Sequence, residues 1–123
     1  MKNKNWALVL IGHGSRLEAA NEEVRRLALQ LETKLDRPVF PAFLELAAPT
    51  LPEAIDLALG KSPREILVLP YFLTQGRHVQ EDIPAILAAK AKAYPETPIK
   101  LLPYLGFEER LVELLADLIR QRA

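Results

Sequence analysis

The chain has 123 residues, half of them hydrophobic, which is enough apolar material to close one compact core and suggests a single domain over residues 1–123. Sixteen Lys and Arg balance sixteen Asp and Glu, so no net field draws the molecule toward nucleic acid or an anionic membrane, and neither is expected as a partner. With no cysteine, disulfides, thiolate zinc sites and cysteine-held iron–sulfur clusters are excluded, leaving imidazole and carboxylate as metal ligands.

Residues 6–12 form the first apolar run, which reads as a buried strand. It is too short to span a bilayer and no small-residue cleavage site follows it, so the expected place of work is the cytoplasm. From Leu17 the period turns helical, with Leu17, Ala20, Val24, Leu27, Leu31 and Leu35 on one face. Ser15 and Glu18 have the spacing of a capping box for that helix. Pro38–Leu44 reads as the second strand. Thr50 and Glu53 repeat the capping signature before Leu51, Ala54, Ile55, Ala58 and Leu59, and Gly60 marks a helix stop.

Residues 65–72 form the third strand, continuously apolar from Ile66 as a strand covered on both faces would be. In the third helix Ile83, Ile86, Leu87 and Ala91 share a face, and Pro84 must lie in a first turn or mark a kink. Ile99–Leu102 reads as the fourth strand, and residues 107–121 as a last helix carrying Leu111, Leu114, Leu115, Leu118 and Ile119. Four strands alternating with four helices imply an α/β fold: a parallel sheet with right-handed crossovers and helices on both faces. A flavodoxin-like strand order of 2-1-3-4 would make the first and third strands neighbours.

That order matters because the two histidines of the chain, His13 and His78, each lie just past one of those strands. Open α/β sheets bind ligands outside the carboxyl ends of their strands. In Gly12-His13-Gly14-Ser15-Arg16 the glycines admit close backbone approach, the helix start attracts anions, and Arg16 offers a fork for carboxylate or phosphate. Leu73-Thr74-Gln75-Gly76-Arg77-His78 brings the same ingredients a second time. Imidazole suits Co2+, Fe2+, Ni2+ and Zn2+, and its ordinary pKa of about 6.5 leaves it largely neutral at pH 7. A structural zinc would ask for four protein ligands, which are scarce here; a sparse site suits a metal that is passed on. Glu45, at the end of the second strand, points to the same edge as a third ligand, a proton acceptor or a substrate contact. Asp82 reads as a cap or pairing partner within the third helix. Tyr71, Phe72, Tyr104 and Leu105 end strands three and four, where core packing competes with the walls of an apolar cleft.

Taken together, Gly12–Arg16, the stretch Phe43-Leu-Glu-Leu-Ala-Ala-Pro49 and the stretch from Pro70 through His78 to Pro84 resemble the small class II tetrapyrrole chelatases, the short CbiX type of sirohydrochlorin chelatase. The resemblance covers nearly the whole chain. It implies a chelatase-like half of the flavodoxin kind, inserting a divalent metal (Co2+, with Fe2+ and Ni2+ as alternatives) into sirohydrochlorin on the way to cobalamin or sirohaem. On that resemblance His13 and His78 hold the metal, His13 also accepts a proton, and Leu73, Thr74, Gln75, Gly76 and Arg77 supply substrate-contacting backbone. The chemistry of the residues themselves adds Glu45 as a further proton acceptor or substrate contact, and Ser15 and Arg16 as contacts to the macrocycle. The metal is a substrate, and no permanently bound cofactor is implied.

Relatives often carry an acidic residue directly before the proline that is Pro49 here, where this chain has Ala48. A histidine phosphatase would carry an arginine before the histidine of its first strand, and Gly12 stands there instead. A carrier or sensor of tetrapyrrole or metal would present the same residues, and an insertion assay separates it from an enzyme. Longer members of the family look like two such units fused, so the resemblance implies a homodimer. Val112, Phe72, Leu73 and Leu105 add apolar surface that could support one.

Overall fold

The structure, a computed structural model, describes residues 5–123, with the side chain of His78 outside that description. Its elements run β1 (Trp6–Gly12), α1 (Glu18–Leu35), β2 (Val39–Phe43), α2 (Leu51–Leu59), β3 (Glu65–Pro70), α3 (Arg77–Ala93), β4 (Ile99–Leu101), a 3-10 turn (Leu105–Phe107) and α4 (Arg110–Arg122). The four strands form one parallel sheet in the order β2-β1-β3-β4, as the sequence predicts. β1 is central, and its continuous apolar character follows from burial on both faces. Ala7, Val9 and Ile11 face one core, shared with α2, α3 and the buried Phe72; Leu8 and Leu10 face the other, shared with α1.

The same chemistry sets each covering helix. α1 presents Val24, Leu27, Ala28 and Leu31 to the sheet, whereas Leu17 (67% exposed) and Leu35 (43%) fall outside the stripe they were expected to join. α2 begins with the capping box expected for it: Thr50 Oγ1 accepts from the Glu53 N–H and Glu53 Oε1 accepts from the Thr50 N–H. Ile83 and Leu87 of α3 are buried and Ile86 half-buried, but Ala91 is exposed. Pro84 stands well past the first turn of α3 on its exposed side, and Gln80, the residue whose carbonyl it leaves without a helical donor, is exposed as well.

Two expectations fail for physical reasons. Ser15 does not cap α1. The helix starts later, Leu17 occupies the cap position without a side-chain bond, and the Ser15 Oγ accepts from the Leu17 N–H at 3.0 Å. Asn21, in the first turn of the helix, reaches back and bonds both the N–H and the C=O of Ser15, so it fixes the preceding turn and does not cap α1. The last helix also differs: α4 buries none of its residues, and its apolar stripe is open to solvent. The 3-10 turn before it is fastened to the loop after β3, with the Gly106 N–H donating to the Phe72 carbonyl at 2.9 Å. Gly106 fits there because any side chain would collide with the Leu73 carbonyl. That seating redirects the chain before α4 begins.

Candidate functional site

Pairing continues beyond the strand ends and assembles the carboxyl edge. The Leu44 N–H donates to the Gly12 carbonyl and the Glu45 N–H to the His13 carbonyl, both at 3.0 Å, so Glu45 stands beside His13. On the other side the Tyr71 N–H donates to the Ile11 carbonyl at 2.8 Å, which brings the loop after β3 against the same turn. The His13 ring, exposed to solvent, lies 4.6 Å from the Phe72 ring at a 52° tilt. Phe72 is itself buried in the core, so one face of the imidazole has a fixed support.

Backbone geometry fixes the turn. Gly14 has φ +91°, and a side chain there would run into the Glu45 carbonyl; only glycine lets the His13 loop and the Glu45 loop lie this close. Gly76 differs, since a side chain there would meet open space, so its presence answers no packing demand within the chain. Asn21, 3% exposed, clamps the other end of the turn. Its Oδ1 accepts from the Ser15 N–H at 2.9 Å, while its Nδ2 donates to the Ser15 carbonyl at 2.8 Å and to Glu18 Oε1 at 3.0 Å.

Arg25 extends this clamp. Its guanidinium donates to Glu18 Oε2 at 2.8 Å, to Glu22 Oε1 at 2.6 Å and to the Ala48 carbonyl at 3.2 Å, and it lies 5.2 Å above the Phe43 ring. Hydrogen bonds from Asn21 and Arg25 hold the Glu18 carboxyl below its ordinary range, and Glu22 and Glu18 push the Arg25 guanidinium up. The loop after β2 is thus tied to α1 by a permanent charge.

His13 stands between two depressions. One, about 360 Å³, is lined by His13, Leu44, Glu45, Val79, Asp82, Ala85 and Ile86, and puts two carboxylates in the same hollow as the imidazole. The other, about 400 Å³, runs along Gly12–Ser15, Asn21 and Tyr71–Thr74. A third cleft of about 380 Å³, mostly apolar, opens on the far side of Phe72 between Val79, Ile83, Leu101, Tyr104 and Phe107, and takes in Gln75. Phe72 and Tyr104 therefore line this cleft, and both lie in the loops beyond their strands, since β3 stops at Pro70 and β4 at Leu101, short of the expected 65–72 and 99–102.

Of the residues singled out in the sequence, the structure gathers His13, Ser15, Glu45, Leu73 and Thr74 around the two depressions, and Gln75 at the third. Gly76 precedes the first residue of α3, Arg77; Arg16 and Arg77 are exposed and line none of the three. His78 belongs to the first turn of α3, and its side chain is outside the described set. Among the described residues no three of His, Asp and Glu gather closely enough to hold a metal. Asn21 and Arg25 escaped the sequence reading. The signal for Asn21 was a polar residue in register with Val24, Ala28 and Leu31 on the buried stripe; Arg25 carried none.

Residues 7–122 match the family model described as CbiX. The chain belongs to the CbiX family. It is similar to the sirohydrochlorin cobaltochelatase of Methanococcoides burtonii, 36% identical over 94% of this chain and 92% of that protein. It is also similar to the chloroplastic sirohydrochlorin ferrochelatase of Arabidopsis thaliana, 29% identical over 92% of this chain and 51% of that protein. In several of the relatives it matches, this CbiX chain spans only about half of the length, 51% and 57% in two of them. Among solved structures, a CbiX protein from Marinobacter aquaeolei VT8 superposes with a TM-score of 0.81 at 27% identity, over 95% of this chain and 96% of that one. The sirohydrochlorin chelatase SirB from Bacillus subtilis subspecies spizizenii, in complex with cobalt, gives the same TM-score and identity over 95% of this chain and 50% of that one.

Proposed function

We propose that this protein inserts a divalent metal ion into sirohydrochlorin, Co2+ first, with Fe2+ and Ni2+ as alternatives. The observation that carries the reading is His13 beside Glu45 at the carboxyl edge of the sheet, sharing one hollow with Asp82. Family membership and relatives named as cobaltochelatases and ferrochelatases support it. Metallation exchanges two pyrrole N–H protons for one M2+, so a catalyst must hold a partly desolvated ion near the ring nitrogens and accept protons there. The His13 imidazole serves the ion or the first proton, and the Glu45 carboxylate accepts another. His78 supplies the second imidazole in this reading. The backbone of Leu73–Gly76 and the Ser15 hydroxyl meet the macrocycle, and the apolar cleft beyond Phe72 suits a ring face.

Arg16 and Arg77, both exposed, anchor the peripheral carboxylates, since a guanidinium pairs with an anion and cannot ligate a cation. The metal is a substrate and no resident cofactor takes part. The reaction runs in the cytoplasm; no helix of the described residues is long and apolar enough to cross a membrane. The working unit is a C2 homodimer, a reading supported by relatives in which this chain matches about half of a longer one. Anaerobic incubation of sirohydrochlorin with Co2+, Fe2+ or Ni2+, followed by absorbance, tests the activity. Insertion faster than in a protein-free control is expected for at least one metal. Binding of ring or metal with no acceleration would identify a carrier instead.

A further inference from the structure

The loop after β2 holds a backbone conformation that its packing does not explain. Leu46, directly after Glu45, has φ +65°, in the left-handed region that a leucine rarely enters. Asp36 and Ser62 share that region, but both are short polar residues in turns at the opposite edge of the sheet, after α1 and α2. Burial does not draw Leu46 there either, since the residue is 55% exposed. A strained residue persists only where the chain on both sides of it is held. Upstream, the Leu44 and Glu45 N–H groups donate to the Gly12 and His13 carbonyls at 3.0 Å, and the Glu45 carbonyl packs against Gly14. Downstream, the Phe43 N–H donates to the Pro49 carbonyl at 2.9 Å, and Arg25 Nη2 donates to the Ala48 carbonyl at 3.2 Å.

The guanidinium is itself fixed before it reaches Ala48. Nη1 bonds Glu18 and Glu22, and the group lies over the ring of Phe43, the last residue of β2, which leaves Nη2 for the loop. Glu18 also accepts from Asn21, which bonds the Ser15 backbone, so the same network reaches the turn that carries His13. One end grips the His13 turn and the other grips the Glu45 loop. We infer that Arg25 is a positioning residue, holding the strained loop at Ala48 so that Glu45 stays beside His13. This rests on the metal insertion proposed above and names what sets the spacing of its two proton acceptors. With Ala48 released, Leu46 relaxes toward an ordinary φ and Glu45 leaves His13. Arg25 lines none of the three hollows at this edge, so its effect passes through the loop and not through contact with a substrate.

The test measures Co2+ insertion into sirohydrochlorin by Arg25→Gln and Arg25→Lys. In both, kcat is expected to fall at least about tenfold, with KM for metal and for macrocycle within about twofold of wild type. Lysine keeps a charge beside Glu18 and Glu22 but lacks the fork that reaches Ala48, so that variant is expected to melt close to wild type and still lose kcat. Leu46→Gly removes the strain that Arg25 resists. In the Arg25→Gln/Leu46→Gly double variant the loss should therefore shrink to under about threefold relative to Leu46→Gly alone. Amide exchange followed by NMR reads the same hold with no substrate present. In either Arg25 variant the Glu45 N–H should gain at least about tenfold in rate over the Val9 and Val68 amides of the central strands. Wild-type kcat in both Arg25 variants, a rise in KM that accounts for the loss, single losses that multiply in the double variant, or Glu45 exchange that tracks Val9 and Val68 would each overturn the positioning role. A wild-type protein that inserts no metal would overturn the proposed function instead, and the exchange measurement then decides the hold on the loop by itself.

Discussion

Replacing Asn21 by alanine should loosen the turn that carries His13, at a side chain that is 3% exposed and lies at the back of the depression beside it. The buried amide makes three bonds, two of them to the backbone of Ser15 and one to Glu18. Each backbone bond contributes about 1 kcal/mol net, and stripping the Ser15 N–H and C=O of their partner adds a desolvation cost that water at this half-exposed residue only partly relieves. The bond to the exposed Glu18 carboxylate adds little after screening. The sum is about 2–3 kcal/mol, which for a chain of this size corresponds to a fall in Tm of roughly 6–15 °C. Urea unfolding with unchanged slope would give the same figure independently. Asn21→Asp should be worse than its shape suggests: it keeps an acceptor for the Ser15 N–H, loses both donors and sets a carboxylate against Glu18. In both variants the insertion rate should drop more than the affinity for the macrocycle, since what is lost is the placement of His13. If Asn21→Ala unfolds within about 0.5 kcal/mol of wild type, the size expected of a neutral surface change, the clamp is wrong.

Gly14→Ala should destabilise by more than the roughly 1–3 kcal/mol of a strained φ, because the added carbon also displaces the Glu45 carbonyl, whereas Gly76→Ala should cost under about 1 kcal/mol; equal effects in thermal melts would refute the close approach of the two loops. Arg16→Ala and Arg77→Ala should raise KM for sirohydrochlorin and leave the dependence on metal concentration near wild type; an unchanged KM in both variants removes their anchoring role. Because the Glu18 carboxyl is held below its ordinary 4.5, its contribution to stability is complete above that pH and fades as the pH falls through the lowered value. The Tm gap between wild type and Glu18→Gln should therefore narrow from pH 7 to pH 3, and a constant gap would contradict the coupling to Asn21 and Arg25.

The parallel sheet and its carboxyl edge were legible from the alternation of strands and helices, whereas the order 2-1-3-4, which the structure bears out, came from the flavodoxin-like expectation and not from the sequence pattern alone. A run as apolar as Trp6–Gly12 can only be central, and parallel strands joined by helices leave few topologies. Capping was legible where nothing competed: Thr50 and Glu53 form their box, while Ser15 and Glu18, with the same spacing, do not, because Asn21 reaches the Ser15 backbone first. Glu45 was correctly placed by chain position alone, since strand pairing runs on past β1 and β2. Periodicity in α4 identified the face but not its partner. The structure leaves that face exposed, and the seating of Gly106 against Leu73 joins residues too far apart in sequence to be seen there.

The central claim is that His13 does chemistry at the edge of the sheet and is no part of the fold. Single-turnover insertion of Co2+ into sirohydrochlorin, followed by stopped-flow absorbance with wild type and His13→Ala at matched concentrations, tests it most directly. The expected result is a first-order rate lowered at least about a hundredfold, the usual scale of a lost general base, in a variant that stays folded and loses only the roughly 0.5–1.5 kcal/mol of the ring contact with Phe72. Insertion at the wild-type rate by a folded His13→Ala protein would contradict the assignment.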